Sequence, residues 1–445
     1  MKTNSASSGV GPAGQSLPQP VEQFTGSPLT RWGGGGLLRR FVAKLRVVER
    51  LSAVPVVWPG RRYAAVDYLR CLLMGLLVGL ERQVELAALG ADGVALLLLG
   101  LPAMPSQSSW SRFLAACRAP QAEAVRGVNR GLVRERRRGL RSATIDLDVQ
   151  VISTRGHPEG ASRGYNPGRR DSKSYAARMG FLGETRDILA ARLRPGREAT
   201  VSAAAAIQTY RDSRQALPRA VGRVRLRADA GFYSEALLKQ LETEGVLYFV
   251  AVPGWSSLQR RVGGLTFRAL DGKWAIADFR YRAVRSGVER RMVVIRERLD
   301  PTEPRKKQLK LLDCPGYAYQ VLVTNSGWGP QDVWHFYNRR CCLENIIKES
   351  QSDFGGDHIL SHRWGGNALW LALSVLAYNV LNWFRERVLG QRAHRHTARW
   401  LRRMLIELPG RLVHRGRQYE LKLGRDHPSE ALFGRALTRL EARVL

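Results

Sequence analysis

The sequence predicts a mixed α/β fold preceded by a helical region, and three observations along its 445 residues lead to this class. Residues 37–138 carry apolar side chains at helical spacing, whereas the spacing changes to every second residue at 141–153. Strand-like and helix-like segments then alternate up to residue 245, and 246–325 is dominated by strand-like runs. This order is typical of a sheet with helices packed against it.

The charge of the chain points to a polyanionic partner. It has 71 Lys and Arg against 38 Asp and Glu, which gives a net charge of +33. Self-repulsion of this size is costly unless a polyanion neutralises it, so nucleic acid is the first expectation. A basic ribosome-associated or membrane-surface protein is the alternative. The five cysteines form no CxxC pair, which argues for reduced intracellular thiols and against a disulfide framework or zinc finger.

The N-terminal residues 1–36 are predicted to form a disordered arm. They are rich in Ser, Gly, Pro and Gln, contain no apolar run typical of a signal peptide, and end in four glycines. The longest apolar runs, 71–80 and 94–101, are too short to cross a membrane. We therefore expect a soluble protein with no membrane partner.

One helix of the N-terminal region has features of a DNA-contacting helix. The stretch 105-PSQSSWSRFLAACRAP-120 predicts a turn, a start capped by serine and an amphipathic helix. It fits the second helix of a helix-turn-helix unit with Arg112 on the exposed side. A helix that only packs against its neighbours fits equally well.

Acidic residues lie on one predicted strand and directly after another. On the first strand, Asp146 and Asp148 share one face while the apolar residues occupy the other. The fourth strand, 221–228, is followed by a turn that starts at Asp229. Ser234 is then a suitable N-cap for the next helix.

The stretch 336-FYNRRCCLENIIKESQSDF-354 is predicted to form one helix. At 100° per residue, one polar stripe forms along it, and Glu349 lies well away from this stripe. The stripe consists of Tyr337, Arg340, Glu344, Lys348 and Gln351. Helical phase therefore selects Glu344 as the acid aligned with an aromatic and two basic residues. Cys341 and Cys342 are interpreted as small packing residues, since no base stands beside them to activate a thiol.

Three acids thus stand on the first strand, after the fourth strand and on a later helix. Carboxylates are the ligands that Mg²⁺ and Mn²⁺ accept, and two such ions can support phosphodiester hydrolysis. Each acid taken singly is more simply a surface residue. Their combination, in this order on a strongly basic chain, favours a metal-dependent site.

Three motifs give the sequence a family resemblance: 144-TIDLD-148, 227-RADAGFYSEALL-238 and 337-YNRRCCLENIIKE-349. With them the chain resembles bacterial insertion-sequence transposases of the DDE type, transposase DDE domain group 1, which carry a Tyr-x2-Arg-x3-Glu signature. The resemblance implies an α/β fold with a ribonuclease-H-like mixed sheet and flanking helices. A mostly β insertion would interrupt this sheet, and an N-terminal helical region would bind DNA.

The resemblance also implies roles for individual residues. Asp148, Asp229 and Glu344 would be catalytic and would hold Mg²⁺ (or Mn²⁺), with Asp146 as the alternative to Asp148. Tyr337 and Arg340 would contact DNA phosphates.

Two positions depart from the family pattern. Gln351 stands where the family carries Lys, a role that Lys348 one turn earlier would take over. Val149-Gln150 follows the first Asp in place of Ser or Thr. Either departure is compatible with weakened activity.

The implied organisation has six parts. They are the arm 1–36, the helical DNA-binding region 37–138, the first part of the catalytic core 139–245, the β-rich insertion 246–328, the catalytic and closing helices 329–390 and the basic tail 391–445.

The implied function is that of a transposase acting on double-stranded DNA. It would bind terminal inverted repeats, cleave the ends by two-metal hydrolysis and join the 3′-OH to target DNA, as a homodimer in the synaptic complex and in the bacterial cytoplasm at the nucleoid. A catalytically inactive or domesticated DNA-binding protein, and a ribonuclease-H-like nuclease without strand transfer, remain the alternatives.

Overall fold

The computed structural model describes residues 26, 28–60, 62–166, 168–169, 172–283, 287–300 and 316–442. Most of the expected arm, 1–25 and 27, lies outside these residues. None of the helices in the described ranges is long and apolar enough to cross a membrane.

The N-terminal region is helical, as its apolar spacing predicts. After a short strand β1 (Leu29–Thr30), the chain forms seven helices up to residue 136 within the described ranges. These are α1 (Gly35–Lys44), α2 (Val47–Ser52), α3 (Ala65–Leu77), α4 (Gln83–Leu89), α5 (Gly93–Leu99), α6 (Gln107–Ala116) and α7 (Ala119–Arg136). Helix α6 begins where the sequence predicts, because the Ser106 hydroxyl accepts the Ser109 amide at 3.3 Å.

A nine-stranded mixed sheet forms the centre of the described chain. Its strands are β2 (Ser142–Ser153), β3 (Ser174–Leu182), β4 (Ile188–Pro195), β5 (Arg223–Ala228), β6 (Leu247–Ala251), β7 (Arg268–Ala269), β8 (Trp274–Arg282), β9 (Glu289–Arg298) and β10 (Tyr317–Thr324). Their order is β4-β3-β2-β5-β6-β10-β9-β8-β7. Strands β2 to β4 pair antiparallel, whereas β5 runs parallel to β2 and β6 parallel to β5. This is a ribonuclease-H-like arrangement and confirms the predicted fold class.

The β-rich segment continues this sheet instead of forming a separate one. Strand β6, which the sequence groups with the insertion from 246 onwards, pairs with β5 of the core on one side and with β10 on the other. Not all of the β-rich segment is strand: in the described structure β7 consists of Arg268–Ala269 alone. A helix, α10 (Ser256–Gly263), precedes it and buries Leu258 and Val262.

Helices cover the sheet and close the fold. Between the core strands lie α8 (Ala203–Gln215) and α9 (Glu235–Thr243), and the C-terminal part contains α11 (Pro330–Asn338), α12 (Cys342–Phe354), α13 (Trp364–Leu389), α14 (Ala398–Leu401), β11 (Gly410–Arg415), β12 (Gln418–Leu423) and α15 (Glu430–Glu441). Helix α13 is apolar on nearly all sides and correspondingly buried. The segment after 390 is more than a charged tail, because Ala436 and Leu440 of α15 lie in the same core.

The prediction of a single helix over 336–354 is wrong in one respect. A tight 3₁₀ turn at Arg339–Cys341 separates α11 from α12. Both Tyr337 and Arg340 contact the sheet on either side of this turn. Tyr337 packs into the apolar cluster of Phe249, Val293 and Leu322, and Arg340 donates to the Leu147 carbonyl within β2. The residues before and after the turn therefore do not share the one stripe that an uninterrupted helix requires.

Candidate active site

The parallel register of β2 and β5 places the strand acids beside one another. Asp146 is the partner of Arg227, and Leu147 is the partner of Ala228. One step further along both chains, Asp148 comes beside Asp229 at the carboxyl end of β5. Residues two apart on a strand face the same side, so both pairs lie on one face of the sheet.

The inner pair, Asp146 and Arg227, is a buried ion pair. Arg227 donates from Nε to one carboxylate oxygen at 2.6 Å and from Nη2 to the other at 2.7 Å. Its Nη1 also donates to the Phe336 carbonyl at 2.7 Å. Arg227 therefore joins both strands to α11. Asp146 is only 1% exposed, whereas the Asp148 side chain is 20% exposed, so Asp148 is the more accessible of the two carboxylates.

Asp146→Asn should destabilise the protein without directly removing a metal ligand. The substitution leaves the buried Arg227 charge unpaired, which typically costs about 3–5 kcal/mol. Urea unfolding would measure this loss. Glu49→Gln, which breaks the exposed Arg46–Glu49 pair, is the matched control and should leave stability almost unchanged. Equal stabilities of the two variants would contradict the structural role of Asp146.

The outer pair places Asp148 next to a cation from the third motif. Arg340 lies 2.9 Å from an Asp148 carboxylate oxygen and donates to the Leu147 carbonyl at 2.9 Å. The other Asp148 oxygen accepts its neighbouring Val149 amide at 2.7 Å. Burial raises the pKa of Asp148, Arg340 lowers it and Asp229 raises it again, with the result that the pKa lies at about 6.

Asp229 sits where β5 turns into a short 3₁₀ helix. It caps this turn, accepting the Gly231 amide at 3.1 Å, and is half-buried. The hydrogen bond to Gly231 holds the Asp229 carboxylate against the 3₁₀ turn and leaves its second oxygen without a partner in this turn. Asp148 and Asp229 are thus two rigidly held carboxylates whose charges repel.

The raised pKa of Asp148 predicts a pH dependence of stability in metal-free protein. The unfolded chain releases this proton near 3.8, whereas the folded chain keeps it up to about 6. Between these values the folded state binds more protons, so the free energy of unfolding should fall as pH rises. Relative to Asp148→Asn, the wild type should lose roughly 2–3 kcal/mol between pH 4 and pH 7 in urea titrations. Parallel pH curves for the two proteins would contradict this.

Glu344 is not gathered into the carboxylate pair. It lies exposed in the first turn of α12, and Lys348 lies exposed one turn later on the same face. In the described ranges no three His, Cys, Asp or Glu side chains lie close enough together to hold a metal ion. The structure brings Asp148, Asp229, Tyr337 and Arg340 together, with Glu344 one turn beyond.

Glu349, which helical phase sets aside, has structural contacts. Its carboxylate lies 3.0 Å from Arg385 of α13 and accepts the Ala398 amide at 2.5 Å. It therefore fixes α12 to the closing helices.

Gln150 occupies a position that departs from the family pattern. Its side-chain amide is buried and donates to the Gly356 carbonyl at 3.2 Å. Gly356 lies just after α12, so Gln150 holds the end of this helix against β2. The departure thus has a structural explanation in this chain.

The three tryptophans near the insertion have aromatic partners within the protein. The ring pairs are Trp255 with Tyr233 at 5.0 Å, Trp274 with Trp334 at 5.0 Å and Trp328 with Phe249 at 5.2 Å. These contacts indicate that the three rings contribute to packing within the protein.

Arg227, Gln150 and Arg385 make structural contacts around the candidate site that the motifs alone do not predict. Arg227 has a signal in the sequence, because it stands two residues before Asp229 and so shares its strand face. Gln150 and Arg385 have no comparable signal, since their partners follow from tertiary packing.

The donor set at the outer pair fits a divalent cation. Asp148 and Asp229 are neighbouring carboxylates, and repulsion by Asp229 is one of the causes that raise the pKa of Asp148 to about 6. A bound divalent cation would offset this repulsion. Arg340 supplies a positive charge at Asp148 here.

The sheet order and the acidic pair define an α/β protein of the ribonuclease-H-like class. The family model for transposase DDE domain group 1 matches residues 18–444, so the chain belongs to this transposase family. A solved structure described as a cryo-EM structure of the piggyBac transposase synaptic complex with hairpin DNA is similar to it. That similarity has a TM-score of 0.47 and 12% identity, and covers 95% of this chain and 85% of that one. A comparison with curated proteins found no match.

Proposed function

We propose that the protein binds the terminal inverted repeats of an insertion sequence, cleaves the DNA at the ends and transfers the 3′-OH strand to target DNA. The observation that carries this proposal is the juxtaposition of Asp148, Asp229 and Arg340. These residues come from the three motifs of the family resemblance, which are separated by about 80 and 110 residues in the chain. The +33 charge supports a DNA partner.

Asp148 and Asp229 would hold Mg²⁺ or Mn²⁺, with Glu344 completing the ligand set from α12. Bound divalent ions would supply activation of a water or 3′-hydroxyl and stabilisation of the leaving oxygen. The protein itself fixes the two aspartates through the β2–β5 register and the Gly231 turn. Completion of the set requires Glu344 to approach the pair, which the short turn between α11 and α12 could permit.

Tyr337, Arg340, Lys348 and Arg112 are proposed to contact DNA. Burial raises the pKa of Tyr337 to about 12, so its phenol keeps its proton and can donate a hydrogen bond. Lys348 and Arg112 are both exposed and suited to phosphates. Arg340 would exchange part of its pairing with Asp148 for a phosphate when the site is loaded. A homodimer is proposed for the complex that holds two ends.

The experiment is nicking of an end-containing duplex by the purified full chain. The duplex carries the inverted repeats that flank the gene, and a duplex with a scrambled end is the control. We expect Mg²⁺-dependent cleavage at the repeat boundary and joined products with target DNA, both abolished by a chelator. Cleavage without joined products would indicate a nuclease, and binding without cleavage an inactive DNA-binding protein.

A further inference from the structure

The N-terminal helical region contains a cleft that lies apart from the acidic pair. It has a volume of about 820 Å³ and opens between residues 58–60 and 62–63 on one side and the start of α6 on the other. This is within the size range of small-molecule pockets in proteins, roughly 300–1,000 Å³. Its lining lies outside the three motifs that contain the acidic residues, but it includes Arg112, which is already proposed as a DNA contact.

One wall of the cleft is aromatic and rigidly supported. Trp58, Tyr63 and Tyr68 line it. The Trp58 and Tyr68 ring centroids lie 5.3 Å apart, and those of Tyr63 and Tyr68 lie 6.0 Å apart. Tyr68 is fixed from behind by Phe113, stacked at 4.3 Å. Trp58 and Tyr63 are only half-buried, so part of their surface remains available.

Trp58 also carries a polar group without a partner. Its Nε1–H is buried and has no hydrogen bond within the described part of the chain. The nitrogen packs against Gly60, so the indole is fixed by its own loop.

The rim of the cleft is positively charged. Arg62 and Arg112 line it, and its described lining contains no carboxylate. Arg62 lies over the Tyr63 ring at 5.4 Å, and both arginines are exposed. Neither forms an ion pair with any residue that the structure describes. Two free guanidinium groups at one opening favour a phosphate or another anion.

The cleft is linked by contacts to the segment that follows α12. Ser111 of α6 donates to the Gln83 side-chain oxygen at 3.1 Å, and the Gln83 amide donates to the Leu360 carbonyl at 3.2 Å. Leu360 belongs to the connection between α12 and α13. The wall that carries Arg112 is therefore linked by hydrogen bonds to the connection that follows α12.

We propose that this cleft binds one unpaired nucleotide, with the base against Trp58 and Tyr63 and the phosphate at Arg62 and Arg112. An aromatic wall and paired cations are the two features that a nucleotide needs, and stacking accepts every base. The proposal deepens the proposed function, since it rests on DNA as the partner. The nucleotide could be free in solution or held in a duplex, and the two probes below separate these sources.

The test uses the full chain, free dAMP and two duplexes. One duplex has a single unpaired 2-aminopurine as a bulge, and the other is its fully paired counterpart. We expect the bulged duplex to bind about 10-fold more tightly, in line with base–aromatic stacking. Its fluorescence should be quenched on binding. Binding of dAMP with no preference for the bulge would support the free nucleotide as the ligand.

The variants separate stacking from fold. Trp58→Leu and Tyr63→Leu should remove the preference and the quenching, whereas Tyr63→Phe should keep both. Arg112→Ala, on the exposed rim, should weaken dAMP and bulge binding without loss of thermal stability. The controls are Tyr419→Leu and Arg138→Ala, at two exposed residues that do not line the cleft. Tyr419 is 66% exposed. Both should behave as wild type.

The proposal is overturned if wild type binds neither dAMP nor the bulge preferentially, or if Trp58→Leu, Tyr63→Leu and Arg112→Ala all bind like wild type. The dAMP titration does not depend on cleavage. Loss of end-specific nicking with intact dAMP binding would therefore count against the proposed function and not against the cleft.

Discussion

Asp229→Asn should abolish Mg²⁺-dependent nicking of an end-containing duplex. Asn keeps the shape and can still accept the Gly231 amide, so the turn after β5 should remain folded. What is lost is the negative charge of a proposed metal ligand, worth several kcal/mol of transition-state stabilisation, or roughly a 10³-fold lower rate. Single-turnover nicking at saturating protein would measure the rate, and gel-shift titration would show duplex binding within about 3-fold of wild type.

Asp148→Asn should give the same loss of cleavage, because Asp148 lies beside Asp229 and is the second proposed metal ligand. Asp332→Asn, on the exposed first turn of α11, is the matched control and should cleave at the wild-type rate. Asp148→Asn and Asp146→Asn are compared at a temperature where both are folded. If Asp148→Asn nicks at the wild-type rate and Asp146→Asn does not nick, Asp146 and not Asp148 is the metal ligand.

Glu344→Gln and Glu349→Gln should have opposite effects. Glu344 is exposed and makes no hydrogen bond or ion pair with the described residues, so its substitution should leave the free energy of unfolding unchanged. Nicking should nevertheless fall by roughly 10³-fold, as for Asp229. Glu349 pairs with the buried Arg385, so its substitution should cost about 3–5 kcal/mol of stability. At a temperature where the variant is folded it should still cleave DNA.

The pair of variants tests the choice that helical phase makes between two glutamates five residues apart. Denaturant unfolding and nicking are measured on the same preparations. Wild-type cleavage by Glu344→Gln would show that Glu344 is not the third metal ligand. Glu349 would then be the next candidate if its variant is folded but inactive.

Much of the fold follows from local patterns in the sequence. Alternation at 141–153 predicts β2, and Ser106 and Ser234 predict the starts of α6 and α9. Here local propensity and tertiary structure agree. The closeness of Asp148 and Asp229 could also be expected in part, since Asp148 lies on one strand and Asp229 directly follows another strand of the same sheet. That they are register neighbours requires the strand pairing itself.

Other features depend on tertiary packing. The 3₁₀ turn at 339–341 forms because Tyr337 and Arg340 both reach the sheet, which no periodicity within 336–354 reveals. The bidentate contact of Arg227 with Asp146 spans 81 residues. Likewise, the β11–β12 hairpin in the basic C-terminal segment pairs with β1 near the other end of the chain. Non-local contacts of this kind are invisible to local pattern.

The central claim, that Asp229 binds a catalytic divalent ion, is tested most directly by exchange of ligand and metal. Thiolate is a poor ligand for Mg²⁺ but binds Mn²⁺ better. Asp229→Cys should therefore be inactive with Mg²⁺ and regain part of its nicking with Mn²⁺, whereas Asp229→Ala should stay inactive with both. Wild-type nicking by Asp229→Ala in Mg²⁺ would contradict the account.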